Sequence, residues 1–277
     1  MKLTVLIDNT VILDKPLLGE SGLSYLIETK DGKVVFDTGF SPIFLSNARK
    51  LGIDMTGVSA VAISHGHDDH CNGLPALGEL LLRAGHRVPL VLHPACLQSK
   101  WWRNANGEIE KISMHADLDT LHKYYDVRPA EGLTKVLENL YFLGEIPRTY
   151  ADASDPIGFV ADQNSTLVPD RVTDDSAMVY DGPEGLVVIN GCAHSGLVNI
   201  LHQTKELFPD KPIAAVIGGF HMQNKSTAWL ESTGDKIKLY RPAKIYPCHC
   251  TDEASRAYLR GRFQVGQIGT GSVLTFK

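Results

Sequence analysis

Apolar residues recur along this chain in short runs separated by turn residues, and most runs are of strand length. Leu3–Ile7, Ser24–Glu28 and Lys33–Phe36 read as strands. The last two are joined by Thr29-Lys30-Asp31-Gly32, whose Asp-Gly pair suits a hairpin turn needing positive φ. Pro42–Leu51 predicts a helix, with Ser41 as its cap, Pro42 at its first position and Gly52 as its stop. Val58–Ile63 predicts a buried strand, Asn72–Ala84 a helix ended by Gly85, and Pro89–Leu92 another strand. The second half continues in kind. Ala177–Tyr180 and Leu186–Ile189 predict a hairpin, Leu197–Leu207 a helix, Ile213–Ile217 a buried strand and Lys225–Lys238 a helix. Ala243–Tyr246 and Ser272–Phe276 close the series as strands. Strands followed by helices in both halves predict packed sheets with helices outside. Gln98–Leu137 breaks the regularity: it is polar, contains Lys100-Trp101-Trp102-Arg103, and reads as an irregular insertion or lid within one domain spanning residues 1–277.

Composition narrows the function classes. With 277 residues, 43% of them hydrophobic and 21% charged, the chain can bury a core without disulfide or metal. Lys+Arg 27 against Asp+Glu 32 gives a net charge of −5, which argues against a general nucleic-acid binder. No apolar run reaches the roughly 18 residues of a membrane span. The N-terminus lacks a signal-peptide pattern, and five cysteines do not suit a secreted disulfide framework. The expectation is a cytoplasmic protein acting on a small molecule, with homo-oligomer formation left open.

The chemistry concentrates in Ser64-His65-Gly66-His67-Asp68-Asp69-His70, directly after a predicted buried strand. Imidazole nitrogen and carboxylate oxygen both bind zinc and related ions. One such loop serves two ions if His65 and His67 turn one way while Asp69 and His70 turn the other. His194, in Gly191-Cys192-Ala193-His194-Ser195-Gly196, and His249, in Pro247-Cys248-His249-Cys250-Thr251, also follow predicted strands and complete the candidate ligand set.

In these residues the chain resembles the metallo-β-lactamase superfamily. Its H-x-H-x-D-H motif is matched by His65, His67, Asp69 and His70, and its later histidines by His194 and His249. Asp37, in Phe36-Asp37-Thr38-Gly39, matches the family's early aspartate and is expected to orient a ligand from behind. Gly22-Leu23-Ser24, Gly144-Glu145-Ile146-Pro147-Arg148, Gly218-Gly219-Phe220-His221 and His249-Cys250-Thr251 resemble the branch of dihydropterin–ribofuranosylaminobenzene phosphate synthase-like metal-dependent hydrolases. The resemblance implies an α+β fold, a four-layer αββα sandwich with metals at one edge between two sheets.

One departure stands out. Where many two-metal members carry a bridging aspartate, this chain places His221, 27 residues after His194 and 28 before His249. A neutral imidazole there leaves the site about one charge unit more positive, favouring an anionic ligand or weakening the second ion. His221 is therefore a candidate both for metal and for substrate. Arg148 is the candidate for gripping a phosphate or carboxylate, with a Glu145 ion pair as its alternative. The cysteines beside the histidines are expected to be small buried residues turned away from the ligands, Asp174 and Asp175 to be turn residues or caps, and Ser195 to cap a helix. Trp101 and Trp102 are read as packing, with a flat-ring pocket as the alternative.

The reaction expected is hydrolysis. One or two divalent ions, with zinc the default and manganese or iron open, would activate water against an ester or phosphate-type substrate. Asp69 and His194 are the catalytic candidates, with Asp69 both ligating and accepting a proton. The alternatives are a transferase condensing a dihydropterin methyl diphosphate with an aryl ribose phosphate, and a metal or ligand binder without activity.

Overall fold

Alternating apolar residues send each strand's side chains to two different cores. In the computed structural model, which describes residues 1–12, 14–154, 156–162 and 165–277, Val34 and Phe36 enter one core while Val35 between them enters another. The chain first lays down strands β1 (Lys2–Ile7), β2 (Ser24–Thr29) and β3 (Gly32–Phe36), helix α1 (Ile43–Lys50), strand β4 (Ala60–Ile63), helices α2 (Asp68–Cys71) and α3 (Leu74–Arg83), and strand β5 (Val88–Leu92). Strands β6 (Lys100–Arg103) and β7 (Ile109–Lys111), helix α4 (Leu118–Tyr124), and strands β8 (Tyr125–Pro129), β9 (Thr134–Leu137), β10 (Leu140–Phe142), β11 (Phe159–Ala161) and β12 (Leu167–Pro169) follow. The last third holds β13 (Ala177–Gly182), β14 (Gly185–Asn190), α5 (Leu197–Leu207), β15 (Ile213–Gly219), α6 (Thr227–Leu239), β16 (Ile245–Cys248), α7 (Glu253–Arg260) and β17 (Val273–Thr275).

These strands form a seven-stranded sheet in the order β17-β1-β2-β3-β4-β5-β8, a six-stranded sheet in the order β16-β15-β14-β13-β10-β9, and a small sheet, β12-β11-β6-β7. The two large sheets face each other across a core that includes Tyr25, Phe36, Phe142, Met178 and Ile217. The outer face of the first sheet is covered by α1, α3 and α4 through Phe44, Leu77 and Leu121. The outer face of the second is covered by α5, α6 and α7 through Leu201, Ile237 and Leu259. The result is the expected four-layer sandwich. No helix of the described residues is long and apolar enough to cross a membrane.

Two parallel blocks position the site. β3, β4, β5 and β8 run parallel in the first sheet, and β14, β15 and β16 in the second. Asp37 follows β3, the histidine-rich loop follows β4, and His194, His221 and His249 follow β14, β15 and β16. The predicted helix 72–84 begins only at Leu74. At Gly73 a Cβ would lie 2.2 Å from the Thr38 carbonyl oxygen, an approach only glycine permits. The segment expected to be an irregular insertion, 98–137, is largely ordered. It supplies β6 and β7 to the small sheet, and β8 and β9 as edge strands of the two large ones.

Candidate metal centre

The site is built from turns at strand ends, and several of its turns are strained. Asp37, Ala193, His221 and His249 all have φ between 49° and 60°. For residues other than glycine this left-handed conformation costs of order 1–3 kcal/mol each and is characteristic of functional sites. The turns carry side chains from both sheets into one volume.

Two foci result. At the first, His65 Nε2 lies 3.0 Å from His67 Nδ1 and 3.1 Å from His194 Nε2. At the second, His70 Nε2 lies 3.2 Å from His249 Nε2 and 3.7 Å from an Asp69 oxygen, and the other Asp69 oxygen lies 3.3 Å from His249 Nε2. Zinc–nitrogen bonds of 2.0–2.1 Å in a tetrahedron put ligand atoms about 3.3 Å apart, so both spacings suit a shared cation.

The hydrogen bonds behind the rings set their orientation. Asp37 Oδ2 accepts from His70 Nδ1 and from Ser64 Oγ, each at 2.7 Å, while Asp37 Oδ1 accepts from Ser64 N. With its proton committed to Asp37, Ser64 Oγ accepts from His65 Nδ1 at 2.9 Å. Asn9 Oδ1 accepts from His249 Nδ1 at 2.7 Å. In His65, His70 and His249 the Nδ1 atom thus carries a proton, and Nε2 is the nitrogen that faces the foci. His67 Nε2 and His194 Nδ1 are buried without partners, so those rings are held by their inward nitrogens.

The electrostatics divide the same way. Burial, reinforced by the neighbouring imidazoles, holds the pKa of His65 and His194 well below the ordinary histidine value; burial takes His67 down to about 4. At the second focus burial also opposes charge, but the carboxylates of Asp69 and Asp37 overcome it and raise His70 to about 9. Burial would push Asp69 up, yet His70 and His249 hold it below the usual carboxylate range. Neutral imidazoles at one focus and a carboxylate at the other form a donor set that fits divalent metal.

A deeper layer fixes the loop. Lys100, almost wholly buried, donates to Asp170 at 2.9 Å and Asp174 at 2.8 Å, and Asp174 accepts from Gly66 N at 2.7 Å. Asp175 accepts from Ser195 N and Ser195 Oγ. Asp174 and Asp175 are therefore braces of the two histidine loops, beyond the turn role expected of them. Ser195 spends its hydroxyl on Asp175, and Gly196, at φ 88°, is the residue preceding α5. Asn9, Lys100 and Asp170 carried no sequence signal, because their partners lie far away in the chain.

Two other expectations need correction. Arg148 does not reach the cluster. Its guanidinium donates to the carbonyls of Ile146, Arg171 and Val172 and lines a separate small cavity with Ala151, Ser154, Pro156 and Arg171. It ties backbone segments together. The cysteines do not all turn away: Cys192 and Cys250 line the cavity beside the histidines, while Cys71 and Cys248 bond to the His67 carbonyl and the Tyr25 hydroxyl. Alternation fails there because β14 ends at Asn190, and Ala193 and His249 depart from extended backbone.

His221 enters the cavity with its ring centroid 4.5 Å from that of His194. An adjoining open cavity of about 570 Å³ is lined by Glu20, Phe40, His67, Asp69, Trp102 and Ile112 among others. Trp102, read from sequence as packing, is 45% exposed there.

The comparisons with known proteins agree with this architecture. A family model described as the metallo-beta-lactamase superfamily matches residues 17–103. The solved structure of Tm1679, described as a metal-dependent hydrolase of the beta-lactamase superfamily, superposes with a TM-score of 0.84 at 30% identity, covering 100% of this chain and 99% of that one. The uncharacterized protein MJ0448 of Methanocaldococcus jannaschii is 30% identical over 96% of this chain and 97% of its own length. A second protein of that organism, named 7,8-dihydropterin-6-methyl-4-(beta-D-ribofuranosyl)-aminobenzene-5'-phosphate synthase, is 24% identical over 91% of this chain and 87% of its own. The chain belongs to the metallo-β-lactamase superfamily. Within it, the chain is similar over nearly its whole length to MJ0448 and Tm1679 and, more distantly, to the dihydropterin synthase.

Proposed function

We propose that the protein is a metal-dependent hydrolase whose ions are held by His65, His67 and His194 at one focus and by Asp69, His70 and His249 at the other. The supporting observation is that ring nitrogens of five separate histidines, most with the other nitrogen already bonded, converge with one carboxylate. Bound divalent metal, zinc by default, supplies Lewis acidity toward the substrate and lowers the pKa of water. The protein's own contribution is placement. Asp37, Ser64 and Asn9 hold three rings in the right tautomer, and Asp69, at the cavity wall, can accept a proton through the oxygen not engaged by His249. His194 fixes the second sheet's side of the first focus, and His221 lines the wall where substrate would lie. The proposed substrate is a small molecule carrying an ester or phosphate, with its anionic part against the cationic centre.

The test is metal analysis of protein purified without chelator, then an ester, thioester and phosphate panel with each metal restored. One or two equivalents of metal and turnover abolished by His65→Ala support the reading. Absence of metal uptake refutes it.

A second reading follows from the relative named as a synthase. There the metal would assist loss of diphosphate and an aryl ribose phosphate would take the place of water. Formation of condensed product with release of pyrophosphate, and no hydrolysis, would favour that reaction.

A further inference from the structure

Two thiols meet at the wall of the cavity beside His221. Cys192 follows β14 and Cys250 follows β16, so 58 residues separate them in the chain. Their sulfurs nevertheless lie within 4.8 Å of each other, and both line a cavity of about 240 Å³. The gap between them exists because position 219 is glycine: a Cβ there would lie 2.6 Å from Cys250 Sγ and 3.3 Å from Cys192 Cα. The surroundings of the two differ. Cys250 is partly exposed, and its sulfur accepts from His221 N at 3.2 Å, a donor that favours negative charge on sulfur. Cys192 is buried. The remaining cysteines are fully buried elsewhere. Cys71 donates to the His67 carbonyl, Cys248 bonds to the Tyr25 hydroxyl, and Cys96 lies in the core on the outer face of the first sheet. A thiol that solvent reaches, with a second thiol beside it, is the arrangement in which oxidation ends in a disulfide instead of the higher sulfur acids.

From this pairing we propose that Cys192 and Cys250 form an oxidation site, closing to a reversible disulfide when the chain meets a hydroperoxide. The Cys250 sulfur attacks one peroxide oxygen and the O–O bond breaks. Sulfenic acid forms on Cys250, and the departing alcohol or water takes the thiol proton. The Cys192 sulfur then attacks the Cys250 sulfur. The S–S bond forms, the S–O bond breaks, and the hydroxyl leaves as water with the Cys192 proton. Two electrons pass from the thiols to the peroxide. The sulfurs close from within 4.8 Å to about 2.05 Å, a movement confined to the two turns that follow β14 and β16. The bridge ties the turn carrying His194 to the turn carrying His249 and so reshapes the wall shared by both foci. The thiol chemistry is independent of the metal-binding reading; only its effect on metal uptake rests on that reading.

The test treats the full-length protein, held in chelator, with a small molar excess of hydrogen peroxide. Intact mass is expected to fall by about 2 Da, and thiols titrated in denaturant to fall from five to three. Trypsin is expected to release the peptide holding Cys192 joined to the peptide holding Cys248 and Cys250, with fragmentation placing the bridge at Cys250. Dithiothreitol restores the mass and every thiol. Cys192→Ser loses the bridge and leaves a sulfenic acid on Cys250 that dimedone traps. Zinc uptake falls in the oxidised protein and returns on reduction. A full count of free thiols after peroxide, a bridge to any other cysteine, or sulfinic acid on Cys250 beside a free Cys192 would overturn the proposal. Absence of zinc uptake in both redox states would overturn the metal reading alone, since mass and thiol count are read without metal. If Cys192→Ser fails to fold, the wild-type mass and cross-link decide.

Discussion

Replacing Lys100 by methionine tests how the histidine loop is held. The ammonium is buried between Asp170 and Asp174 at 2.9 and 2.8 Å, and neither carboxylate has appreciable exposure. Methionine fills similar space but strands both anions. Breaking a buried pair by removing one partner costs about 3–5 kcal/mol, a large part of the 5–15 kcal/mol typical of a folded domain. The damage should reach the metal centre, because Asp174 also accepts from Gly66 N between His65 and His67. Loss of such outer support typically lowers metal affinity by about 10–100-fold. The pH dependence gives a further check. Burial pushes the Asp174 carboxyl up, but Lys100 holds it below the usual carboxylate range. In the wild type its stabilisation is therefore present above about pH 3.8 and lost as pH falls through the depressed value. Without Lys100, burial dominates, the carboxyl rises, and protonation relieves the variant. The stability gap should thus be widest near pH 7 and shrink toward pH 4. Urea denaturation in chelator at several pH values measures the gap, and competition with a chromophoric chelator measures zinc affinity. A loss below about 1 kcal/mol at pH 7, with unchanged zinc affinity, would refute the argument.

Three other outcomes are expected. His67 has its pKa lowered to about 4, so the metal-free fold loses about 3 kcal/mol through this ring as pH falls from 6.5 to 4, where only the unfolded chain takes the proton. In His67→Gln the pH slope should be shallower by about 1.4 kcal/mol per unit, and parallel slopes would contradict the assignment. Asp37→Asn removes one of the acceptors serving Ser64 and His70; equilibrium dialysis should show about 10–100-fold weaker binding at the second position, and unchanged binding would sink that role. Gly191→Ala places a Cβ 2.1 Å from Ser64 Oγ and 2.9 Å from Asp37 Oδ2. It should cost about 1–3 kcal/mol by overpacking and lower metal content, as thermal melting and metal analysis would show.

The large sheets were legible because their strands alternate or are uniformly apolar, as in Lys33–Phe36 and Ile213–Ile217. The donors were legible because unlike functional groups cluster at strand ends. What escaped has physical reasons. β7 is exposed at every residue and β8 mixes polar with apolar positions, so neither shows a buried face. Arg148 has the right charge for an anion site, but its three carbonyl partners come from loops no local pattern predicts. Lys100, Asp174 and Asn9 act through partners 74, 108 and 240 residues away. Cys192 faces the cavity against strand alternation because β14 ends two residues before it, at Asn190.

The small sheet's connection to the histidine loop has a consequence for how such proteins diversify. Asp68 N donates to Ile112 O, Met114 N donates to Gly66 O, and His67 pairs with Ser113 as an isolated bridge. The segment that walls the open cavity is thereby stitched by main chain to the residues between the histidines. It cannot be grafted from a relative like a detachable cassette, because a foreign segment would arrive with its own spacing and tug the donors out of register. Side-chain changes at Trp102 or Phe40 would reshape the wall and leave those main-chain bonds intact.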